Sequence, residues 1–314
     1  MVFKGYKYAH SFALALLCCL AWCTASGAET ARSGVSDREN TIIYGYSSQL
    51  FHDVDPKDLT GLIEIFARMT ERKMKSGLKT SVVVYKSLSA TEKALSRGEV
   101  DVLVMIPEEF ASLRTTYRLE PILSADYGDH FYNELLLLVR EGSGITEIGQ
   151  LRGKRLLIDV GQQGTIPMKW LDSLLTARLS SNAKGFFGSI DENSKSSKVI
   201  MPVFFGQVDA CLVSRNSYNI SAELNPQLGR QLRVLEQSPG FVTGIIAVRK
   251  GLEKAKRDAT VKVLTEMYTD PKGKQIMSLF RINRLVPFMP EHIVSVTKVI
   301  REHQETTNRV AKRK

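Results

Sequence analysis

The chain has 314 residues, which predicts about two domains, and its formal net charge is +10 at pH 7. No run of basic residues is interleaved with aromatic residues, so the charge does not indicate a nucleic-acid partner. No segment beyond the N-terminal region is apolar for long enough to span a bilayer.

The N-terminal residues have the organisation of a secretory signal peptide. Lys4 and Lys7 precede an uncharged apolar run at residues 11–22, and small residues follow it. We therefore predict a signal peptide at residues 1–28, cleaved after Ala28, and an exported mature protein. A retained membrane anchor is the alternative, which the length of the run disfavours because a span takes roughly 20 residues.

Cysteine usage agrees with this prediction. Lipid attachment at Cys23 is a weaker alternative, because Trp22 stands where a Gly or Ala is required. Once the signal peptide is removed only Cys211 remains, so no intramolecular disulfide can form and the core must hold the fold together. Between Ala210 and Leu212 in a predicted strand, Cys211 is expected to be a buried apolar group rather than a nucleophile.

Strands and helices alternate from Thr41 onward, after a polar linker at residues 29–40. Two successive runs of alternating elements follow. The first run, at residues 42–106, predicts strands at 42–46, 81–85 and 100–106 and helices at 58–75 and 89–97, the latter capped by Ser89. The second run predicts strands at 134–140, 154–160 and 209–214, a helix at 167–179, and another that starts within 189–198 and continues to 205. A strand at 244–248 and helices at 252–268, 272–280 and 291–303 follow. This alternation predicts an α/β fold with mostly parallel sheets flanked by helices.

A repeated phrase indicates two lobes of similar architecture. Gly98-Glu99-Val100-Asp101 opens an apolar strand in the first run, and Gly206-Gln207-Val208-Asp209 does so in the second. We expect lobe 1 at residues 41–126 with 241–314 and lobe 2 at residues 133–236. The crossovers near 125–133 and 236–243 would be two hinges that let a cleft close over a ligand.

The turn after the predicted strand at 154–160 is the sharpest candidate site. Gly161 and Gly164 allow a tight turn, and the helix that follows Thr165 presents unpaired N–H groups and a positive dipole end. Such a turn predicts an anion site, with Gln162, Gln163 and Thr165 as added donors. An ordinary turn with Thr165 as helix cap is the alternative. The following Ile166-Pro167 excludes a true phosphate loop.

A second polar segment follows the first predicted strand. Tyr46, Ser47 and Ser48 lie at its carboxyl end, where parallel sheets bind ligands, so Tyr46 could wall the cleft and the serines could donate to an anion. A solvated connecting loop is the alternative. Asp209 could reach the cleft and meet a cationic group of the ligand. The sequence has no catalytic motif and no histidine pair with metal-ligand spacing, so we expect a binding protein without cofactor or metal rather than an enzyme.

Together these features resemble the phosphonate-binding branch of the periplasmic solute-binding proteins. The resemblance rests on the signal peptide, the two Gly-x-Val-Asp phrases, the segment 148–155 and the anion turn, and it covers about residues 41–290. It implies the type II two-lobed periplasmic-binding fold, with the oxyanion held at Gln163, Gly164 and Thr165 and an amine at Asp209.

The resemblance also implies the role of the protein. A monomer in the periplasm would bring phosphonate, phosphate or a similar oxyanion to the membrane permease of an ABC transporter. A sensor or accessory protein that reports the ligand to a membrane receptor is the alternative. Two positions depart from the pattern of the family: Gln163 replaces a hydroxyl, and Met105-Ile106-Pro107-Glu108 replaces aromatic and Gly-Asn or Gly-Pro residues. The residues therefore predict that an anion binds, and phosphonate as the identity of that anion is implied by the resemblance alone.

Overall fold

The computed structural model describes residues 38–51, 56–74, 77–126, 131–161, 164–279 and 282–311. The predicted signal peptide and two of the predicted site residues, Gln162 and Gln163, lie outside the described residues. Residues 42–314 form one compact unit.

The strands of this unit form two sheets. The six-stranded sheet has the order β11-β4-β10-β3-β1-β2 and the five-stranded sheet the order β7-β6-β8-β5-β9. We call each sheet with its helices lobe 1 and lobe 2, respectively. In chain order the strands are β1 Thr41–Ser47, β2 Lys79–Tyr85, β3 Val102–Met105, β4 Glu120–Asp126, β5 Leu135–Arg140, β6 Arg155–Asp159, β7 Ser189–Asn193, β8 Ala210–Ser214, β9 Leu232–Gln237, β10 Ile245–Val248 and β11 Arg284–Pro287.

Helices flank both sheets, as the alternating sequence pattern predicts. They are α1 Pro56–Met74, α2 Leu88–Ser96, α3 Pro107–Leu113, α4 Ile166–Leu179, α5 Ala183–Phe186, α6 Ser196–Phe204, α7 Arg215–Leu224, α8 Pro226–Gln231, α9 Lys254–Thr265, α10 Pro271–Leu279 and α11 Val294–Ala311. None of the described helices combines the length and the apolar character needed to cross a membrane.

Strand β5 shows why the lobe 2 sheet is covered on both faces. Its residues Leu135 to Val139 are all fully buried. Successive side chains point to opposite faces of a strand. Accordingly Leu135, Leu137 and Val139 join one apolar cluster, whereas Leu136 and Leu138 join another with α6. An uninterrupted apolar run thus marks a strand with helices on either side.

The α/β fold class is confirmed, but each sheet is mixed rather than mostly parallel. Strand β1 pairs with β3 in parallel, and β6 pairs in parallel with both β7 and β8. By contrast β10 is antiparallel to β3 and β4, and β5 is antiparallel to β8 and β9. The difference has a topological cause, because β4, β5, β9 and β10 carry the chain between lobes and reverse its direction.

Several elements differ from those that the sequence pattern predicts. The cap of α2 is Ser87, whose side chain accepts the N–H of Ala90, and not Ser89, which lies inside the helix. Residues 189–193 form strand β7 rather than the start of a helix. Helix α3 lies in a segment for which the pattern predicts no element, and strand β4 forms where the predicted crossover begins. Short polar segments have weak periodicity, and pairing with β6 rather than local preference decides the conformation of β7.

Cys211 occupies the middle of β8 and is fully buried. Burial raises the pKa of its thiol, so the thiol stays protonated at neutral pH. A protonated, inaccessible thiol fits the packing role expected from the sequence.

The two lobes share part of their core. Met105 and Phe110 of lobe 1 belong to the same buried apolar cluster as Ile166 and Trp170 of lobe 2. Helix α11 packs against α4 in lobe 2 and also against α3 in lobe 1. The carboxyl end of β3 and the N-terminus of α4 therefore face each other across a closed interface.

Two chain crossovers join the lobes, between β4 and β5 and between β9 and β10. They are tied together where Asn133 and Phe241 exchange backbone hydrogen bonds of 2.8 and 2.9 Å. The two crossovers thus meet at this pair of residues, and hinge motion of the lobes about them stays a prediction.

Candidate functional site

The turn between β6 and α4 is held by the last residue of the strand. Asp159 accepts the backbone N–H of Gly161 at 3.0 Å and the hydroxyl of Ser196 at 2.6 Å. Gly164 then adopts a φ of +57°, a left-handed conformation that favours glycine. This backbone leads through Thr165 into α4.

Thr165 occupies the cap position of α4 but does not cap the helix with its side chain. Its hydroxyl donates instead to the carboxylate of Glu108 in lobe 1. Its backbone N–H donates to Glu108 Oε2 at 2.8 Å. Both hydrogen-bond donors of Thr165 are therefore directed at one anionic group from the other lobe.

Lys169 completes this set of donors from the next turn of α4. Its ammonium group contacts Glu108 Oε1. An N–H group, a hydroxyl and an ammonium at the positive end of a helix all favour a negative charge at the same place. The anion that these donors hold in this structure is a carboxylate of the chain itself.

Gly164 permits the close approach of that carboxylate. A Cβ atom at this position would lie 2.6 Å from Glu108 Oε2 and 2.9 Å from Ile106 Cδ1. Any side chain would therefore displace the anion or the neighbouring isoleucine, in addition to the strain of the positive φ. The glycine is required at this turn both for its conformation and for the space it leaves.

The lobe 1 side of the interface contains a second carboxylate. Glu109 is 8% exposed and is hydrogen-bonded to the Ser47 side chain. Its Oε2 atom is buried without a hydrogen-bond partner among the described residues. Burial is the main cause that raises the pKa of this carboxyl group, and the hydrogen bond from Ser47 opposes it.

The structure brings two of the predicted segments to the same pair of residues. Ser47 contacts Glu109, and Thr165 contacts the adjacent Glu108. Tyr46 and Ser47 belong to β1 itself rather than to a loop, and both are buried, so they are not a solvated connector. Ser48 begins a short 3-10 turn and is half-buried. Desolvation raises the pKa of the Tyr46 phenol, which stays neutral.

Asp209 is not brought to this site. It accepts the backbone N–H of Arg155 at 2.9 Å and lies 3.7 Å from the Lys154 ammonium. Arg155 begins β6 and the Gly164 turn follows its other end, roughly 15 Å away along a five-residue strand. In this structure Asp209 therefore lies at the opposite end of β6 from the Gly164 turn, and its contact with a ligand amine stays a prediction.

Sequence reasoning missed three residues of this arrangement: Glu108, Glu109 and Lys169. Lys169 could have been found, because a residue four positions after Thr165 lies on the same helix face. Glu108 was visible as a departure from the family pattern. The sequence alone did not indicate that it reaches the other lobe.

Comparison with known proteins bears on this geometry. A family model described as "ABC transporter, phosphonate, periplasmic substrate-binding protein" matches residues 50–293. Comparison with curated proteins gives no significant match.

Solved structures share the fold at low sequence identity. A binding-protein component of an ABC phosphonate transporter from Pseudomonas aeruginosa is 13% identical, with a TM-score of 0.62, and the match covers 85% of this chain and 87% of that one. A Xanthomonas citri protein bound to ATP is 18% identical, with a TM-score of 0.63 and coverage of 86% and 98%. A Prochlorococcus marinus protein in complex with methylphosphonate is 12% identical, with a TM-score of 0.60 and coverage of 84% and 98%.

The fold is thus that of the type II periplasmic binding proteins. The family model spans most of the chain, including both lobes and the anion turn. The chain belongs to the periplasmic substrate-binding proteins of phosphonate ABC transporters.

Proposed function

We propose that this chain captures a small oxyanion between its lobes, in the periplasm, and delivers it to the permease of an ABC transporter. The Gly164–Thr165 turn is its anion-binding element. The observation that carries the proposal is the convergence of the Thr165 N–H, the Thr165 hydroxyl and the Lys169 ammonium on one anionic group. The family, which is that of substrate-binding proteins of ABC transporters, supports a binding function.

The donor set favours a compact oxyanion over a neutral ligand. Backbone N–H groups and a hydroxyl are fixed in direction, whereas Lys169 adds a full positive charge one helical turn further on. Hydrogen bonds to a charged acceptor are roughly twice as strong as neutral ones. A phosphonate or phosphate group has several oxygens and can accept from all three donors at once.

Hinged lobes would let such a ligand enter and leave. The Met105, Phe110, Ile166 and Trp170 side chains close the interface around the turn in this structure. Thr165 itself is exposed, and separation of α3 and α4 about the paired crossovers at Asn133 and Phe241 would widen the access of a ligand to its donors. We infer that lobe opening admits the ligand and that lobe closure presents one defined surface to the permease.

The partners follow from the same proposal. The predicted signal peptide would place a monomeric protein in the periplasm, where the permease is its membrane partner. Methylphosphonate and ATP are bound by two structural neighbours, and both carry the phosphorus oxyanion that the proposed site recognises.

Calorimetric titration of the purified mature chain tests the proposal. Methylphosphonate, inorganic phosphate and ATP are the probes, and at least one should bind with a saturable heat signal. Bound oxyanion should also raise the melting temperature, because a ligand that binds only the native state stabilises it. If none of the three gives either signal, the proposed function is wrong.

A further inference from the structure

The anion turn is occupied by a residue of the chain itself. Glu108 is the second residue of α3, which follows the carboxyl end of β3, and its carboxylate crosses the interface to Thr165 and Lys169. The side chain of Glu108 is 13% exposed and that of Lys169 is 25% exposed. The contact is thus a mostly buried ion pair between lobes rather than a solvated surface pair.

The Thr165 N–H and hydroxyl each have one hydrogen and cannot serve Glu108 and a ligand together, whereas the Lys169 ammonium has three hydrogens and can contact both. Oε2 takes the Thr165 N–H, and Oε1 takes both the Thr165 hydroxyl and the Lys169 ammonium. The space above Gly164 is also restricted, since Oε2 lies only 2.6 Å from the position that an added Cβ would take. An incoming oxyanion must therefore displace the Glu108 carboxylate before it can use the turn.

We propose that Glu108 is an internal competitor that determines which anions bind, an inference that rests on the proposed oxyanion site. A ligand carboxylate would replace the contacts of the Glu108 carboxylate by equivalent ones, so it would gain little binding free energy. A phosphonate or phosphate dianion brings more charge and more acceptor oxygens, so it can displace Glu108 with a net gain. Glu108 therefore selects phosphorus oxyanions against simple carboxylates.

The competition also lowers the apparent affinity for every anion. When only a fraction of the molecules has a free site, the apparent dissociation constant equals the intrinsic constant divided by that fraction. If the turn is free in about one molecule in ten, removal of Glu108 should tighten binding about tenfold.

Glu108→Ala is the direct test, with methylphosphonate and acetate as probes in calorimetry. The variant should bind methylphosphonate about tenfold more tightly than the parent chain and should show measurable acetate binding that the parent lacks. Glu108→Gln should give a smaller gain, because the amide oxygen still accepts while the charge is lost. Glu64→Ala is the matched control, since Glu64 is exposed on α1 and pairs with Arg68.

Small-angle X-ray scattering separates displacement from a general effect of charge. The parent chain without ligand should already be compact, because Glu108 joins the lobes. Glu108→Ala without ligand should have a larger radius of gyration and should contract when methylphosphonate binds. A general charge effect would tighten binding without expanding the unliganded variant, and that result would overturn the proposal.

The outcomes distinguish this inference from the proposed function. Binding of methylphosphonate with equal or lower affinity in both Glu108 variants would refute competition and leave the oxyanion function intact. Absence of binding in the parent and in both variants would refute both. Melting temperatures near that of the parent establish that each variant is folded, and the Gln variant serves if the Ala variant does not fold.

Discussion

Asp101 and Asp209 hold equivalent positions in the two lobes. Asp101 precedes β3 and accepts the N–H of Ile43 in the parallel neighbour β1 at 2.9 Å. Asp209 precedes β8 and accepts the N–H of Arg155 in the parallel neighbour β6 at 2.9 Å. Each also lies near a basic side chain, Arg249 and Lys154, respectively. In each lobe the aspartate of the Gly-x-Val-Asp phrase therefore joins the starts of two parallel strands by a hydrogen bond from side chain to backbone.

We expect both aspartates to contribute to stability and not to ligand binding. Asp101 is almost completely buried whereas Arg249 is 38% exposed, so Asp101→Asn should destabilise the fold by about 2 kcal/mol, since the buried hydrogen bonds of Asp101 lose their charged acceptor. Asp209 is about a third exposed, so Asp209→Asn should cost about 1 kcal/mol or less. Urea unfolding and methylphosphonate titration measure the two effects. A marked loss of affinity in folded Asp209→Asn would restore the amine-binding role suggested by the family resemblance.

The sequence was sufficient for the features that depend on local pattern. Periodicity located β1, β5, β6 and α4 within a few residues, because apolar runs and amphipathic spacing persist through these elements. The conformation of Gly164 and the polar role of Thr165 also followed from residue type, since positive φ and helix-end donors are local properties.

Contacts between lobes could not be predicted in this way. Glu108 and Thr165 are 57 residues apart and meet only after both lobes have formed and closed. The antiparallel pairing of β10 with β3 likewise joins strands that are far apart in the chain. No local periodicity carries this information, so a charged residue on α3 gave no sign that it fills the anion turn.

Substitutions at two glycines with positive φ distinguish the effect of backbone strain from the effect of losing the proposed anion site. Gly164 is crowded by Glu108, whereas at Gly142, with a φ of +76°, an added Cβ would meet no atom within 4 Å. Gly164→Val should abolish methylphosphonate binding and lower the melting temperature. Gly142→Val should lower the melting temperature to a similar degree through strain alone and leave the affinity unchanged. Parent-like affinity in folded Gly164→Val would place the anion site elsewhere.

Glu109 predicts a pH dependence of stability. Burial raises its pKa in the folded protein above the ordinary value of 4.5. The folded state thus binds a proton more tightly than the unfolded state, and this group lowers stability as the pH rises from 4.5 through the folded pKa. Glu109→Gln removes this loss of stability. The free energy of unfolding of the variant minus that of the parent should therefore increase as the pH rises through that interval and then level off. Urea unfolding at a series of pH values checks this, and a constant difference would contradict it.

Export is expected from the N-terminal sequence. The mature chain should begin at Glu29 and be found in the periplasmic fraction. N-terminal sequencing and intact-mass measurement of the purified protein test the cleavage site. Retention of Met1 would argue for an anchor, and a lipid mass on Cys23 would indicate a lipoprotein.

A double-mutant cycle between Thr165 and Glu108 tests the site most directly. In the Glu108→Ala background, Thr165→Ala should weaken methylphosphonate binding by about 1–2 kcal/mol, because a hydroxyl bond to a charged acceptor is lost. In the parent background the loss should be less than half as large, since the same change also weakens the competing Glu108 contact. Thr165→Ser retains the hydroxyl and should bind like the parent.

The difference between the two backgrounds is the coupling energy that competition predicts. Calorimetry on the parent, the two single variants and the double variant provides it, with melting temperatures to show that all four are folded. Thr165 does not cap α4 with its side chain, so its removal should leave the helix intact. Equal losses in both backgrounds would mean that Glu108 and the ligand do not share the Thr165 hydroxyl, and the oxyanion would then have to bind beside the turn rather than in place of Glu108.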